Sequence, residues 1–170
     1  MSEGFRFCVD RTGILLFASA LGETNPIYWD EEYAKKTPLG GVIAPPTFAI
    51  SSAHWDPNHA LRGARKIPAA PPRAPQPSAA AGPAGGGGGG GGGLNLARVL
   101  HGEQRFEYHK PIHPGMTLTV TQRAGQSWTK EGKKGGTMRF SESISEYRDE
   151  KGELVVTATS VGIVTEKAVQ

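Results

Sequence analysis

Gly22-Glu23-Thr24-Asn25-Pro26-Ile27-Tyr28 is the stretch on which the reading of this chain turns. Upstream, Asp10 is suited to cap a helix in which Ile14, Leu15, Ala18 and Leu21 fall at helical spacing on one face. Gly22 ends that helix, since glycine readily takes the left-handed conformation needed there. Asn25 and Pro26 then fix a turn, and Tyr28 and Trp29 pack at an interface or a pocket wall. Downstream, Asp30 opens a second short helix with Glu31 and Glu32 near its positive end and Lys35 and Lys36 near its negative end. Pro38-Leu39-Gly40-Gly41 closes it. In Ala44-Pro45-Pro46-Thr47-Phe48 the prolines suit the opening of another helix, where a missing N–H costs nothing. Phe48, Ala49, Ile50 and Ala53 give it the apolar character of a buried central helix.

From Ile67 to Gly93 the composition changes, with prolines and alanines followed by nine consecutive glycines from Gly85 to Gly93. Such a segment buries too little side chain to offset its ordering entropy, so it is expected to be a flexible surface insertion. It lacks the strand, Lys and Ser/Thr context of a phosphate loop. After Leu94 the period shifts to two. Gln104, Phe106 and Tyr108 alternate with Arg105, Glu107 and His109, and Leu118 and Val120 alternate with threonines. Two more strands are expected around Thr137–Tyr147 and Glu153–Thr165, linked by turns at residues 111–115, 133–136 and 149–152. Helices first and antiparallel strands afterwards give an α+β architecture.

The bulk numbers exclude several function classes. With 170 residues the chain fits one domain over residues 1–170, about 140 of them outside the insertion. Lys plus Arg number 19 against 16 for Asp plus Glu, a dispersed net charge of +3, too mild for nucleic acid to be a partner. That excess still suits a phosphate-bearing ligand. Cys8 is the one cysteine, so no intramolecular disulfide forms, and a reducing cytoplasm fits best. The start, Met1 to Arg6, has no secretory character and no apolar run approaches membrane-spanning length, so no membrane association is expected. His54, His59, His101, His109 and His113 make no recognised metal pattern, and no metal is expected. His101 is a candidate for a sheet edge near a partner, although a surface or structural histidine is the commoner meaning, whereas His109 and His113 flank a turn and are expected to be exposed. Ser51 and Ser52 lack a nucleophile-elbow frame.

Four motifs in order, Gly22 to Tyr28, Ala44 to Phe48, His101-Gly102-Glu103-Gln104 and Lys110-Pro111-Ile112-His113-Pro114-Gly115, resemble the MaoC-like hydratase and dehydratase family, in its fatty-synthase-type dehydratase N-terminal branch. The resemblance implies a hot-dog fold, a curved antiparallel sheet wrapped around a long central helix, and the pairing of two such domains. It also implies an acyl thioester of coenzyme A or of an acyl carrier protein as substrate, with no further cofactor. In active members Gly-Asp-x-Asn-Pro-Ile/Leu-His supplies an Asp and a His that handle the proton and the water. Here Glu23 stands at the Asp position and Tyr28 at the His position.

Adding water to an enoyl thioester, or removing it, requires a base, a proton carrier and donors for an enolate-like oxygen. The extra methylene of Glu23 displaces its carboxylate, and small displacements cost large factors in rate. An unperturbed phenol titrates near ~10, which makes Tyr28 a poor base at neutral pH. Active members carry Ala-His-Gly where this chain has Ala44-Pro45-Pro46, and Pro46 has no N–H to offer an oxyanion. Glu23 and Tyr28 are therefore read as degenerate, inactive positions of the catalytic pair. Asn25, Pro46, Thr47, Phe48 and Ser51 are the expected substrate-binding residues. Two basic clusters, Lys130-Lys133-Lys134-Arg139 and Arg62-Arg65-Lys66, are candidate phosphate contacts or simply solvated surface. The leading expectation is a non-catalytic, substrate-holding subunit of a heteromeric R-specific enoyl-thioester hydratase or 3-hydroxyacyl-thioester dehydratase, with a second hot-dog subunit supplying Asp and His. The alternatives are a homodimeric enoyl-CoA hydratase using Glu23, and an acyl-thioester binding module without turnover.

Overall fold

The alternating runs of the second half pair into one antiparallel sheet in the computed structural model, which describes residues 4–56, 99–132 and 136–166. The expected insertion at about 67–93, together with His59, Arg62, Arg65, Lys66, Lys133 and Lys134, lies outside the described residues. Strands β1 (Phe5–Cys8), β2 (Val99–Tyr108), β3 (Thr117–Gly132), β4 (Gly136–Arg148) and β5 (Leu154–Thr165) stand in the order β1-β3-β4-β5-β2. β1 and β2 are therefore the edges. The helical elements are α1 (Arg11–Ala20), a 3-10 turn (Pro26–Tyr28), α2 (Glu31–Lys35) and a 3-10 helix (Phe48–His54).

Asp10 caps α1 as expected, its carboxylate accepting from the Gly13 amide at 2.7 Å. The apolar face of α1 is narrower than the spacing suggested. Ile14 and Ala18 are fully buried, while Leu15 and Leu21 are 41% and 52% exposed. Leu15 is turned about 100° around the helix from Ile14, and Leu21 is the C-cap, past the last helical residue.

The central helix opens later than the two prolines suggested. A proline disfavours the helical conformation of the residue before it, so Pro46 holds Pro45 out of the helix. The 3-10 helix begins at Phe48, whose amide bonds the Pro45 carbonyl at 2.9 Å. Any continuation beyond Asp56 lies outside the described residues. Phe48 packs between Phe7 (5.7 Å) and Phe17 (5.4 Å, edge to face), which joins β1, α1 and the 3-10 helix in one aromatic cluster.

Two bulges at one level curl the sheet. The register slips between His101 and Glu103 on β2 and between Ala124 and Ser127 on β3, both beside the Glu142–Val161 pair of the central strands. Each bulge contains a glycine. A Cβ on Gly102 would meet Ile163 Cδ1 at 2.8 Å, and one on Gly125 would meet Glu142 Cβ at 2.7 Å. An extra residue bends its strand, and here the bends add at one level of the sheet.

The inner face of the sheet changes character along the strands. Under the 3-10 helix the row Tyr108, Val156, Tyr147 and Val120 is apolar or aromatic. The following rows are Phe106-Ala158-Ser145-Gln122 and Gln104-Ser160-Ser143-Ala124. Small and polar side chains thus replace the core residues as the strands leave the helix.

Candidate active site

The segment from Gly22 to Tyr28 is held by its backbone. Gly22 takes φ +71 and its amide bonds Ser19 O at 3.0 Å, while the Glu23 amide bonds Ala18 O at 3.0 Å. This pair of bonds is a Schellman ending, and it fixes where Glu23 leaves α1. Asn25 Oδ1 accepts from the Ile27 amide at 3.1 Å, so Asn25 caps the 3-10 turn in which Pro26 stands first. Tyr28 is thereby turned inward and is 8% exposed, with Trp29 beside it at 6.5 Å between ring centroids. Burial, and after it the charge of Glu23, pushes the Tyr28 phenol above its ordinary value. The phenol therefore keeps its proton throughout the neutral range and can donate a hydrogen bond but not accept a proton.

Residues 42–44 clamp three of the motifs together. The Ile43 amide reaches Ile27 O at 3.4 Å and the Ala44 amide reaches Ile112 O at 2.8 Å. His113 is not the exposed turn residue expected from the sequence. It is half-buried and its Nδ1 lies 2.9 Å from Val42 O. A carbonyl can only accept, so Nδ1 carries the proton in this contact. His109 is exposed as expected, with Nε2 at 3.3 Å from Thr157 Oγ1.

The expected substrate-binding residues divide into buried and accessible ones. Pro46 and Thr47 are exposed, Ser51 is half-buried, and Phe48 is 3% exposed and belongs to the core. The Pro46 carbonyl accepts from the Tyr108 hydroxyl. Burial, and then neighbouring Tyr147, pushes the Tyr108 phenol up to about 12. Tyr147, which the sequence did not single out, donates to Ala49 O at 3.0 Å, and the Ser52 hydroxyl lies 2.9 Å from the same phenol oxygen. With Tyr147 donating to the carbonyl, Ser52 is the donor of the second bond. Two tyrosines of the sheet therefore pin the start of the 3-10 helix and its middle.

Beneath the 3-10 helix and beyond this pin lies a cleft of about 170 Å³ between Ile50, Ser52 and Ala53 on one side and the polar rows of β2–β5 on the other. His101 and Gln104, on edge strand β2, line it. Glu23, Tyr28 and Asn25 do not. Of the first basic cluster, Lys130 Nζ sits 5.6 Å from the Phe140 ring centroid, and that ring stacks on Trp128 at 5.2 Å. Among the described residues no group of three His, Cys, Asp or Glu side chains is placed to hold a metal ion, and no helix is long and apolar enough to cross a membrane.

Comparison with known proteins places this geometry. The family model for the FAS1-like, dehydratase domain region matches residues 1–158. A UPF0336 protein of Streptomyces griseus subsp. griseus is 35% identical over 150 residues, which cover 88% of this chain and 79% of that protein. A probable enoyl-CoA hydratase alpha subunit of Thermomonospora curvata is 30% identical over 142 residues, 83% of this chain and 40% of the relative. Among solved structures, a MaoC-like dehydratase from Rhodospirillum rubrum superposes with a TM-score of 0.56 at 17% identity, covering 98% of this chain and 93% of that one. The ChsH1-ChsH2 complex from Mycobacterium tuberculosis gives a TM-score of 0.63 at 17% identity, covering 99% and 84%. These structures share the hot-dog fold. On the family model and the relatives together, the chain belongs to the FAS1-like dehydratase-region family, with the hot-dog fold.

Proposed function

We propose that this chain is the substrate-holding, non-catalytic subunit of a heteromeric R-specific enoyl-thioester hydratase or 3-hydroxyacyl-thioester dehydratase. The observation that carries this reading is the state of Tyr28. Buried beside Glu23, the phenol retains its proton, so the position that would hold a histidine base has no base. Pro46 adds to this, since it offers no N–H to a thioester oxygen and its carbonyl is engaged by Tyr108.

The catalytic Asp and His then come from a second hot-dog subunit. β2 supports such pairing, being a ten-residue edge strand with its outer backbone side unpaired among the described residues. Solved relatives of this fold include two described as complexes, ChsH1-ChsH2 and HadBC, both from Mycobacterium tuberculosis. The substrate is an acyl thioester of coenzyme A or a carrier protein. Asn25, Pro46, Thr47, Phe48 and Ser51 are assigned to contact it outside the cleft, whose lining includes none of them. A cytoplasmic setting accompanies this reading, with Cys8 as a free thiol. The test is hydration of an enoyl-CoA by the purified chain alone and after addition of a hot-dog partner that carries Asp and His. Activity only in the mixture is the expected result; activity of the chain alone would instead favour a homodimer that uses Glu23.

A further inference from the structure

The cleft under the 3-10 helix has a wall that a plain hydrocarbon does not match. Ser143 on β4 is directly opposite Ser160 on β5, and Ser145 lies one same-face position along β4. All three serines line the cleft, and among the described residues none of their hydroxyls has a protein hydrogen-bond partner. They project from β4 and β5, both interior strands of the sheet, and so cannot move aside as loop residues could. The same strands carry Val156 and Tyr147 where the 3-10 helix covers them, so the serines begin where the packed core stops. Ile50, Ala53 and Phe106 supply the apolar part of the lining.

We propose that this cleft receives the distal part of the acyl chain and is matched to a chain bearing an oxygen substituent, a hydroxyl or a keto group, in preference to an unsubstituted alkyl chain. The proposal rests on the acyl-thioester reading given above and specifies its substrate class. A saturated chain laid on Ser143, Ser145 and Ser160 would remove water from three hydroxyls and return no hydrogen bond to them. An oxygen at the same depth restores at least one such bond. A site that hydrogen-bonds a substrate oxygen discriminates strongly against the analogue lacking it, because its own polar groups are then left unpaired. Apolar contacts from Ile50, Ala53 and Phe106 accommodate the methylenes on either side.

Calorimetric binding of octanoyl-CoA and of its terminal-hydroxyl analogue, equal in carbon count, tests this on the chain with and without a hot-dog partner. The expected result is about tenfold tighter binding of the hydroxylated thioester. Ser143→Ala with Ser160→Ala should reduce that preference to less than about threefold without weakening octanoyl-CoA. Ser145→Ala alone is the gentler variant, and an unchanged unfolding midpoint establishes that each variant is folded. Equal or tighter binding of octanoyl-CoA to the wild type would overturn the inference and leave the acyl-thioester function standing. A preference that survives all three alanine substitutions would also overturn it. Failure of both thioesters to bind, with the partner present or absent, would remove the function and the inference together.

Discussion

Tyr147 joins the sheet to the helical layer through one oxygen atom. Its hydroxyl donates to Ala49 O and meets Ser52 Oγ, and Ser52 is 4% exposed. Tyr147→Phe leaves that serine buried without its partner, at a cost of about 1–3 kcal/mol. Urea unfolding should read this as a lower midpoint at unchanged slope. Tyr108, bonded to the Pro46 carbonyl, gives the fold an alkaline limit. The unfolded chain releases this proton near 10.0 and the folded chain at about 12, so the folded state binds more protons between those values. Its contribution to stability is complete below pH ~10 and is lost as pH rises toward about 12, in the same direction as those of Tyr147 and Tyr28. Stability should therefore fall across that window, and Tyr108→Phe should fall less steeply. At this scale the sequence carried part of the site. The turn at Asn25 and Pro26 follows from local chemistry, whereas the Tyr147–Ser52 contact joins residues 95 apart and leaves no local signal.

Of the four long strands, β4 and β5 occur within a residue of the expected bounds, whereas the alternating runs read from the sequence covered only residues 104–108 of β2 and 117–121 of β3, which start at Val99 and run on to Gly132 respectively. β1 was missed. Its four residues, Phe5 to Cys8, are too short for a period to declare itself, and the strand exists because β3 offers it an edge. The serines at 141, 143 and 145 stood in plain alternation with Phe140, Glu142 and Ile144, but only the register shows that they face the helix side. The glycines at 102 and 125 acquire meaning only from the neighbouring strand. Gly125→Ala forces a methyl to within 2.7 Å of Glu142 Cβ, and a loss of about 1–3 kcal/mol is expected in chemical denaturation. Phe48→Ala, which empties the contact between Phe7 and Phe17, should cost about 3–5 kcal/mol by the same measurement.

On the scale of the whole molecule, β2 presents an open edge, and Glu23 and Tyr28 are not among the residues lining the cleft. Under the proposed function, a second subunit pairs at that edge and brings Asp and His. From composition, deletion of residues 71–93 with a short replacement linker should leave cooperative unfolding intact, since loop closure depends only weakly on loop length. A large loss of folded protein on deletion would show that this segment packs. The most direct measurement concerns Glu23: turnover of an enoyl-CoA by wild type and Glu23→Gln, each alone and each with the Asp/His partner. Activity restricted to the mixtures, with Glu23→Gln within about threefold of wild type, is the result expected of a residue that transfers no proton in the transition state. Robust activity of the wild type alone, reduced about 100-fold or more by Glu23→Gln with assembly unchanged, would contradict the non-catalytic assignment and make Glu23 the base of a homodimeric hydratase.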